Sequence, residues 1–393
     1  MNVPVARTDA LERAAGVAFL LMVVSLPGPI APMGITTALC GVLTVAVMVR
    51  ARRVEWPRTP VDPAAFGWMA ALVVASVFSL QPAASWPVIK KGFFPLLVGL
   101  AALRARDRAT GERVLATYFG ATALVACIGI DLWLRNGASF EARARGLSGH
   151  YMTFAGQLAL MLPVAVSVAV SDSRRLWRWG AGTAAVLALA ALAVTFTRSS
   201  WIGVAVSLAV IAAAWSPVAV GAVALVAAAV FVFAPGTLGA RLRSIFDPHN
   251  PWNQQRVYMW DAGWRMFRDH PVTGVGLQDL HALYDRYRAP GASERAGHLH
   301  NVFVQIAAQM GAVGLAAFAW LYGSFVRAAV SGLRPQLKRR GFAAGLRVGV
   351  LAMLAGFIVA GLFEWNFGDE ELLYGLYTLV GLAWAARRWD DEA

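Results

Sequence analysis

The sequence predicts an all-α polytopic membrane protein that forms one domain over residues 1–393. Hydrophobic residues make up 58% of the chain and charged residues only 15%, whereas a soluble domain carries about 25% charged residues. Apolar runs recur from residue 14 to residue 385, which leaves no room for a separate soluble domain. These observations predict a bundle of spanning helices as the whole architecture.

About twelve apolar segments approach the roughly 20 residues that a spanning helix needs, some of them short or tilted. The first follows a charged start but lacks a small-residue cleavage site, so we interpret it as a span and not as a removed signal peptide. The segments centre near residues 14–30, 32–49, 64–80, 88–103, 114–134, 152–170, 180–197, 201–215, 218–233, 301–328, 342–363 and 372–386.

The connecting loops separate by charge, which predicts the orientation of the chain. Alternate short loops carry clusters of positive residues: Arg50, Arg52, Arg53 and Arg58; Arg104, Arg106, Arg108 and Arg113; Arg174, Arg175 and Arg178; Arg334, Lys338, Arg339 and Arg340. By the positive-inside rule this side is the cytoplasm. With an even number of spans, both termini are expected on that side.

Residues 234–300 form the one long loop and are expected outside the cytoplasm, as a subdomain with short helices. Asn253 can cap a helix that runs to about Asp269, where His270-Pro271 would end it. A second short helix is expected at about residues 278–287, and the polar segment 290–297 is a candidate lid hinge.

Composition and motifs narrow the function classes. The net charge of +13 would suggest nucleic acid in a soluble protein, but here part of it is the orientation signal. We therefore expect no nucleic acid partner. Cys40 and Cys127 both fall in apolar runs and are interpreted as packing residues. No nucleotide motif is present, and we expect no cofactor.

Positive charges on the predicted outer side need an explanation, because short outer loops normally avoid them. Several arginines on one outer face would suit a multiply charged anion, since the guanidinium fork matches phosphate oxygens. The residues concerned are Lys90, Lys91, Arg143, Arg145, Arg198 and Arg256.

Structural explanations compete for some of these charges. Lys90 and Lys91 could snorkel to headgroups, and Arg143 could pair with Glu141. Arg198 differs, because it lies in a very short connection between two spans, close to the hydrocarbon, where charge is costly and usually functional.

His300 opens the tenth predicted span and is the candidate general base, because an unperturbed histidine titrates near pH 6.5. Metal ligation is the rival role, since His298 and His300 form an H-x-H motif, which alone is a weak metal signal. A hydrogen bond at the helix start is the structural alternative. Gly311 and Gly314 are interpreted as sites of close helix packing.

An acidic outer patch is also present, formed by Glu364, Asp369, Glu370 and Glu371. It could bind a cation or repel misplaced anions, or it could be a solvated loop.

Four segments together resemble the O-antigen ligase and polymerase superfamily of bacterial envelope glycosyltransferases. They are RGLSGHYMTFA at Arg145–Ala155, TRSSWIG at Thr197–Gly203, RVYMWDAGWRMFRDHPVTGVGL at Arg256–Leu277 and the HN…GxxG junction at His300–Gly314. With about twelve spans and one large outer loop, the likeness covers most of the chain. It implies a GT-C-like fold in the bacterial inner membrane with a periplasmic active site.

The resemblance implies transfer of a glycan from undecaprenyl pyrophosphate to lipid A–core, with membrane lipids as surroundings. We expect an inverting, metal-independent reaction in which Arg198 and Arg256 bind pyrophosphate and His300 activates the acceptor hydroxyl. Further substrate contacts are expected from Arg143, Arg145, Lys90 and Lys91. Asn301 either orients His300 or caps its helix, and Trp260 either stacks on sugar or packs the loop helix.

Three alternatives stay open. A polymerase of the same superfamily shares these motifs. A flippase or transporter of lipid-linked sugars would instead show broken helices and charges near the membrane midplane. A scaffold whose arginines bind only acidic lipid is the third.

Overall fold

The computed structural model describes residues 5–389, and the side chains of all of these except residues 5–9 and 217. The regular secondary structure of this part of the chain is entirely helical, with no strand, which confirms the predicted all-α class. The predicted cytoplasmic termini lie outside the described residues. The helices are α1 (Val5–Ser25), α2 (Ile30–Ala51), α3 (Asp62–Val77), α4 (Pro82–Ser85), α5 (Leu96–Arg104), α6 (Arg108–Arg135), α7 (Tyr151–Ser171), α8 (Arg175–Ala193), α9 (Arg198–Trp215), α10 (Pro217–Phe233), α11 (Gly236–Arg243), α12 (Pro251–Asp269), α13 (His281–Tyr287), α14 (Val302–Val330), α15 (Leu333–Arg339), α16 (Phe342–Ala360) and α17 (Glu370–Ala385).

Within residues 5–389, eight helices are long and apolar enough to cross a membrane, or nine if α10 and α11, bent by 113°, form one span. The predicted total of about twelve is therefore not reached by length and composition alone. α3 has only 16 residues, and α17 begins with two glutamates. The predicted fourth span corresponds to Pro82–Arg104, which is one of these eight. Within it a 3₁₀ segment, Trp86–Phe93, separates α4 from α5, because proline cannot continue a regular helix.

α16 lies at the centre of the bundle and packs against α7, α9 and α14. Glycines permit this close approach. A Cβ atom on Gly349 would overlap α7 near Val164, and one on Gly356 would overlap α9 at Gly203. Small residues at helix interfaces commonly allow membrane helices to approach each other closely. The backbone of α16 therefore lies close to those of α7 and α9.

One end of the bundle joins several predicted cytoplasmic loops through ion pairs. Arg104 pairs with Glu12 at 2.9 Å, and Arg174 pairs with Glu112 at 2.8 Å. α7 ends at this side, since Asp172 follows it and binds Arg174 at 2.8 Å. The opposite end of α7 starts at His150, so whatever lies near His150 is on the far face of the bundle.

The long loop folds as a small helical unit on that far face. Met259, Met266, Tyr284 and Leu299 bury their side chains in its own apolar cluster. Two local expectations were wrong in detail. α12 begins at Pro251 with Asn250 in the cap position, so Asn253 lies inside its first turn. The second short helix begins at His281, because Asp279 holds the His281 amide at 2.9 Å in a turn before it.

α14 is not a continuous helix, because Gly311 interrupts it with φ 61° and ψ −157°. The segment after α12 docks into this break: the amide of Ala312 donates to the Pro271 carbonyl at 2.8 Å. The amide of Val275 donates to the Ala308 carbonyl at 2.8 Å. A Cβ atom on Gly311 would overlap the Val272 backbone, so the interpretation as simple helix packing is replaced by a backbone break that anchors the loop.

Candidate active site

Three neighbouring cavities lie on the far face, where α7, α9, α12 and the α16–α17 connection meet. The arginine chamber has a volume of about 310 Å³ and is lined by Arg143, Arg198, Arg241 and Arg256, with His298 and His300. The apolar groove, about 490 Å³, also contacts Arg198 and Arg256. The acidic cavity, about 420 Å³, shares His150, Met152 and His298 with the chamber.

Arg198 is the first residue of α9, and its side chain is held from above by the loop. Its Nη1 atom donates to the carbonyl and hydroxyl of Ser244 at 2.7 and 3.1 Å, and its Nη2 atom donates to Asn253 Oδ1 at 2.8 Å. The residue is only 6% exposed. All three acceptors are neutral, so they fix the guanidinium without cancelling its charge.

Two further arginines complete the positive wall through aromatic contacts. The guanidinium of Arg143 lies 3.9 Å from the centre of the Phe140 ring and 4.3 Å from that of Tyr151. The guanidinium of Arg241 lies 5.1 Å from the same Phe140 ring. Such stacking orients arginine while leaving its N–H groups available. The chamber can therefore receive an anion with several oxygens.

His300 faces Glu364, which lies in the connection between α16 and α17. The Nδ1 atom of His300 is 3.0 Å from both Glu364 carboxylate oxygens. Arg256 approaches the same carboxylate, with Nη2 3.9 Å from Oε2. A carboxylate at Nδ1 favours the tautomer that leaves Nε2 free to accept a proton. The pair thus has the geometry of a general base with its orienting acid.

The backbone around His300 is unusual and well anchored. His300 has φ 45°, a left-handed conformation that is costly for a non-glycine residue and concentrates at functional sites. Asn301 caps α14 by accepting from the amides of Phe303 and Val304 at 2.9 and 3.1 Å. Its Nδ2 atom donates to the Leu362 carbonyl at 2.9 Å, which ties the start of α14 to the connection that carries Glu364.

The electrostatics match this arrangement. Burial alone would raise the pKa of Glu364. The hydrogen bond and charge of His300, together with the charges of His298 and Arg256, outweigh burial and lower this pKa to about 2. Burial and the neighbouring His300 lower the pKa of His298. Glu364 is therefore a carboxylate throughout the physiological range, and His298 favours its neutral form.

The same residues could also hold a metal ion. His298, His300 and Glu364 present ligand atoms that all lie within 4.8 Å of one another. Two imidazoles and a carboxylate suit zinc or a related transition metal. Glu364 is the third ligand that the H-x-H motif lacked in the sequence, so the metal alternative gains a candidate geometry.

The apolar groove runs from the arginines along the loop. Ile202, Ile245, Phe246, Val257 and Phe363 are among its lining residues. A long apolar chain with an anionic end would fit this combination, because the groove removes hydrocarbon from water while the arginines meet the charge.

Five of the sequence-predicted residues line two of these cavities. Arg143, Arg198, Arg256 and His300 all line the arginine chamber. Trp260 lines the apolar groove instead, near Phe363, with a ring-centre distance of 6.4 Å.

Three predicted contacts lie elsewhere. Lys90 and Lys91 both approach Glu370, at 3.7 and 3.5 Å, and Lys91 also donates to the Gly368 carbonyl at 2.8 Å. Arg145 lines a separate outer depression with Arg143 and Trp133. These residues do not join the wall of the arginine chamber.

Sequence reasoning missed three residues that line these cavities. Arg241 lies in the long loop and was not singled out, and His150 lies inside the segment that begins at Arg145. Glu364 was noticed only as part of an acidic patch. A signal for Glu364 existed, since it is an acidic residue in an outer connection directly after an apolar span, but nothing in the spacing linked it to His300.

Comparison with known proteins gives one family match. Residues 183–319 match the family profile described as O-Antigen ligase. This segment contains Arg198, Arg256 and His300 and ends within α14, so Arg143 and Glu364 lie outside it. No curated protein matches the chain at a significant level.

Proposed function

We propose that the chain is an O-antigen ligase of the O-antigen ligase and polymerase superfamily, because residues 183–319 match the O-Antigen ligase family profile. It transfers O-antigen polysaccharide from undecaprenyl pyrophosphate to a terminal sugar of lipid A–core. The reaction takes place on the periplasmic face of the bacterial inner membrane, with both termini in the cytoplasm. The observation that carries the proposal is the convergence of Arg198, Arg256 and His300 on one chamber, with Glu364 hydrogen-bonded to His300.

The donor binds through its pyrophosphate. Arg198 and Arg256 contact both the chamber and the apolar groove, so a lipid pyrophosphate can place its polyprenyl chain in the groove and its phosphates between the arginines. Arg143 and Arg241 add two further guanidinium groups to the chamber wall. A buried guanidinium held by neutral acceptors, as Arg198 is, gains from the arrival of an anion because its desolvation is then compensated.

His300 removes the proton from the acceptor hydroxyl. The hydroxyl oxygen attacks the anomeric carbon, its proton passes to Nε2 of His300, and the bond from that carbon to the pyrophosphate oxygen breaks. The electron pair leaves with undecaprenyl pyrophosphate, whose added charge the arginines stabilise. Attack from the face opposite the leaving group inverts the anomeric centre. Glu364 holds the imidazole and stabilises the imidazolium.

No metal step is required, since the arginines stabilise the leaving group and His300 takes the proton. Activity that survives exhaustive chelation supports this route. If chelation abolishes transfer and added zinc restores it, the cluster His298, His300 and Glu364 acts as a metal site instead.

Gene deletion tests the function. Loss of a ligase leaves lipid A–core without polymer on a lipopolysaccharide gel, while lipid-linked polymer accumulates. Loss of a polymerase leaves core with a single repeat, which would select the alternative within the superfamily. An unchanged ladder, in a strain with no second copy, would contradict both.

Complementation by variants tests the residues. His300→Ala and Arg256→Ala should fail to restore the ladder at normal protein abundance. His281→Ala is the matched control, because His281 is an exposed loop histidine that pairs with Asp279. A full ladder from His300→Ala would remove His300 as the base.

A further inference from the structure

The acidic cavity is a second space that donor binding leaves unused, and its lining combines carboxylates with apolar side chains such as Leu160 and Phe357. Its volume of about 420 Å³ falls within the usual range for small-ligand pockets, about 300–1,000 Å³. Glu364 belongs to its wall, whereas His300 lines the arginine chamber. The hydrogen-bonded His300–Glu364 pair therefore stands between the two spaces.

The two spaces carry opposite charge. The carboxylates of the acidic cavity are those of Glu364, Asp369, Glu370 and Glu371. Among its described lining residues Lys91 is the one lysine or arginine, and Glu370 lies 3.5 Å from its Nζ atom. A phosphate entering this cavity meets like charge, which disfavours its binding.

Unsatisfied polar atoms in the cavity wall indicate the kind of ligand. Asn366 is 6% exposed, and its Nδ2 atom donates to the Phe357 carbonyl at 2.8 Å. Its Oδ1 atom has no hydrogen-bond partner among the described residues, and neither has His298 Nδ1. Buried polar atoms are normally paired, and leaving one unpaired costs about 1–3 kcal/mol. A ligand with hydroxyl or N–H groups would supply the missing donors.

We propose that the acidic cavity binds the terminal sugar of the acceptor and selects a sugar that carries hydroxyl or amino groups but no phosphate. The inference rests on the proposed function, since it assumes an acceptor sugar. Carboxylates and the amide oxygen of Asn366 accept hydrogen bonds from the sugar. The acceptor hydroxyl then reaches His300 past His150 and His298, which line both cavities, while the pyrophosphate approaches from the arginine side. Opposite charge keeps each substrate in its own cavity.

The first test uses the wild-type protein, full length and reconstituted in liposomes with a lipid-linked glycan donor. Two lipid A–core acceptors are compared that differ only by one phosphate on the terminal sugar. We expect the phosphorylated acceptor to show a kcat/KM at least about 10-fold lower, the size expected for one unfavourable close charge contact. Equal kcat/KM values would overturn the subsite. Absence of transfer to both acceptors would overturn the proposed function and the subsite with it.

The second test changes the charge of the cavity. The double variant Glu370→Gln and Glu371→Gln should lower the KM for the phosphorylated acceptor about 10-fold, with the KM for the donor unchanged. Glu141→Gln, an exposed carboxylate of the outer loop, is the matched control and should change neither. If the double variant leaves discrimination intact, or changes donor KM alone, the acidic cavity is not the acceptor site.

Discussion

The Nδ1 atom of His300 lies 3.0 Å from each carboxylate oxygen of Glu364, across 64 residues of sequence. The two residues are held together by the start of α14 and the connection after α16, since the amide of Val302 donates to the Gly361 carbonyl at 2.7 Å. This relationship gives a histidine at a helix start the fixed orientation that the proposed general base requires.

Glu364→Gln should lower kcat for glycan transfer by about 10²–10⁴, the range typical of general-base catalysis. The amide keeps the shape but no longer stabilises the imidazolium that forms when His300 takes the proton. Initial rates in reconstituted protein at equal abundance measure the effect. Glu141→Gln serves as the control, and an unchanged rate in Glu364→Gln would contradict the proposed role of Glu364.

Arg198→Lys should lower activity although it keeps the positive charge. The guanidinium bridges Ser244 and Asn253 and still presents N–H groups to the chamber, whereas an ammonium cannot hold this fork. We expect the kcat/KM for the donor to fall about 10- to 100-fold. Arg265→Lys is the matched control, because Arg265 is half-exposed and pairs with Asp261 on its own helix. Full activity in Arg198→Lys would reduce the role of Arg198 to charge alone.

Stability should depend on Glu364 in the acid range. Its pKa is about 2 in the folded protein against an ordinary 4.5. A carboxyl group whose pKa is lowered by folding stabilises the protein at pH values above its ordinary pKa. This contribution is lost as the pH falls towards the pKa of the folded state. The difference in melting temperature between wild type and Glu364→Gln should therefore be constant near pH 6–7 and shrink below about pH 4.5. Melting curves in detergent at stepped pH measure this, and a constant difference down to pH 3 would contradict the assignment.

Gly311→Ala should destabilise the protein by about 1–3 kcal/mol or more, because its backbone conformation is almost restricted to glycine. A Cβ atom there would also overlap the Val272 backbone. Gly323→Ala in the same helix is the matched control, since a Cβ atom at Gly323 meets nothing within 4 Å. It should be neutral or slightly stabilising. Equal melting temperatures for the two variants would mean that the break in α14 is dispensable.

Much of the site could be predicted from the sequence because membrane proteins place charge sparingly. Arg198 and Arg256 stood out as positive residues on the predicted outer side, and His300 stood at a predicted helix start. All three line one chamber. Lys90 and Lys91 satisfied the same rule, but local carboxylates bind them. Charge alone does not distinguish an arginine that could bind a substrate anion from a lysine that is paired with a carboxylate of the same protein.

What the sequence could not supply was long-range pairing. The His300–Glu364 contact depends on how α14 meets the connection after α16, and no periodicity reports that. The break at Gly311 was also hidden, because its neighbours in α14 are uniformly apolar and read as one span. The fold class needed only composition, whereas the number of spans depends on prolines and charges that shorten or interrupt individual helices.

The docking of Pro271–Gly276 into the break of α14 has a consequence for exchanging parts between relatives. α12 carries Arg256 and α14 begins beside His300, and the docked segment fastens one helix to the other through backbone hydrogen bonds. The residue proposed to bind pyrophosphate and the residue proposed as the base are therefore held together within residues 251–315. A hybrid protein that takes its outer loop from one parent and its tenth predicted span from another would separate the docked segment from the break in α14 that receives it. Transplants that keep residues 251–315 together should function where finer grafts fail.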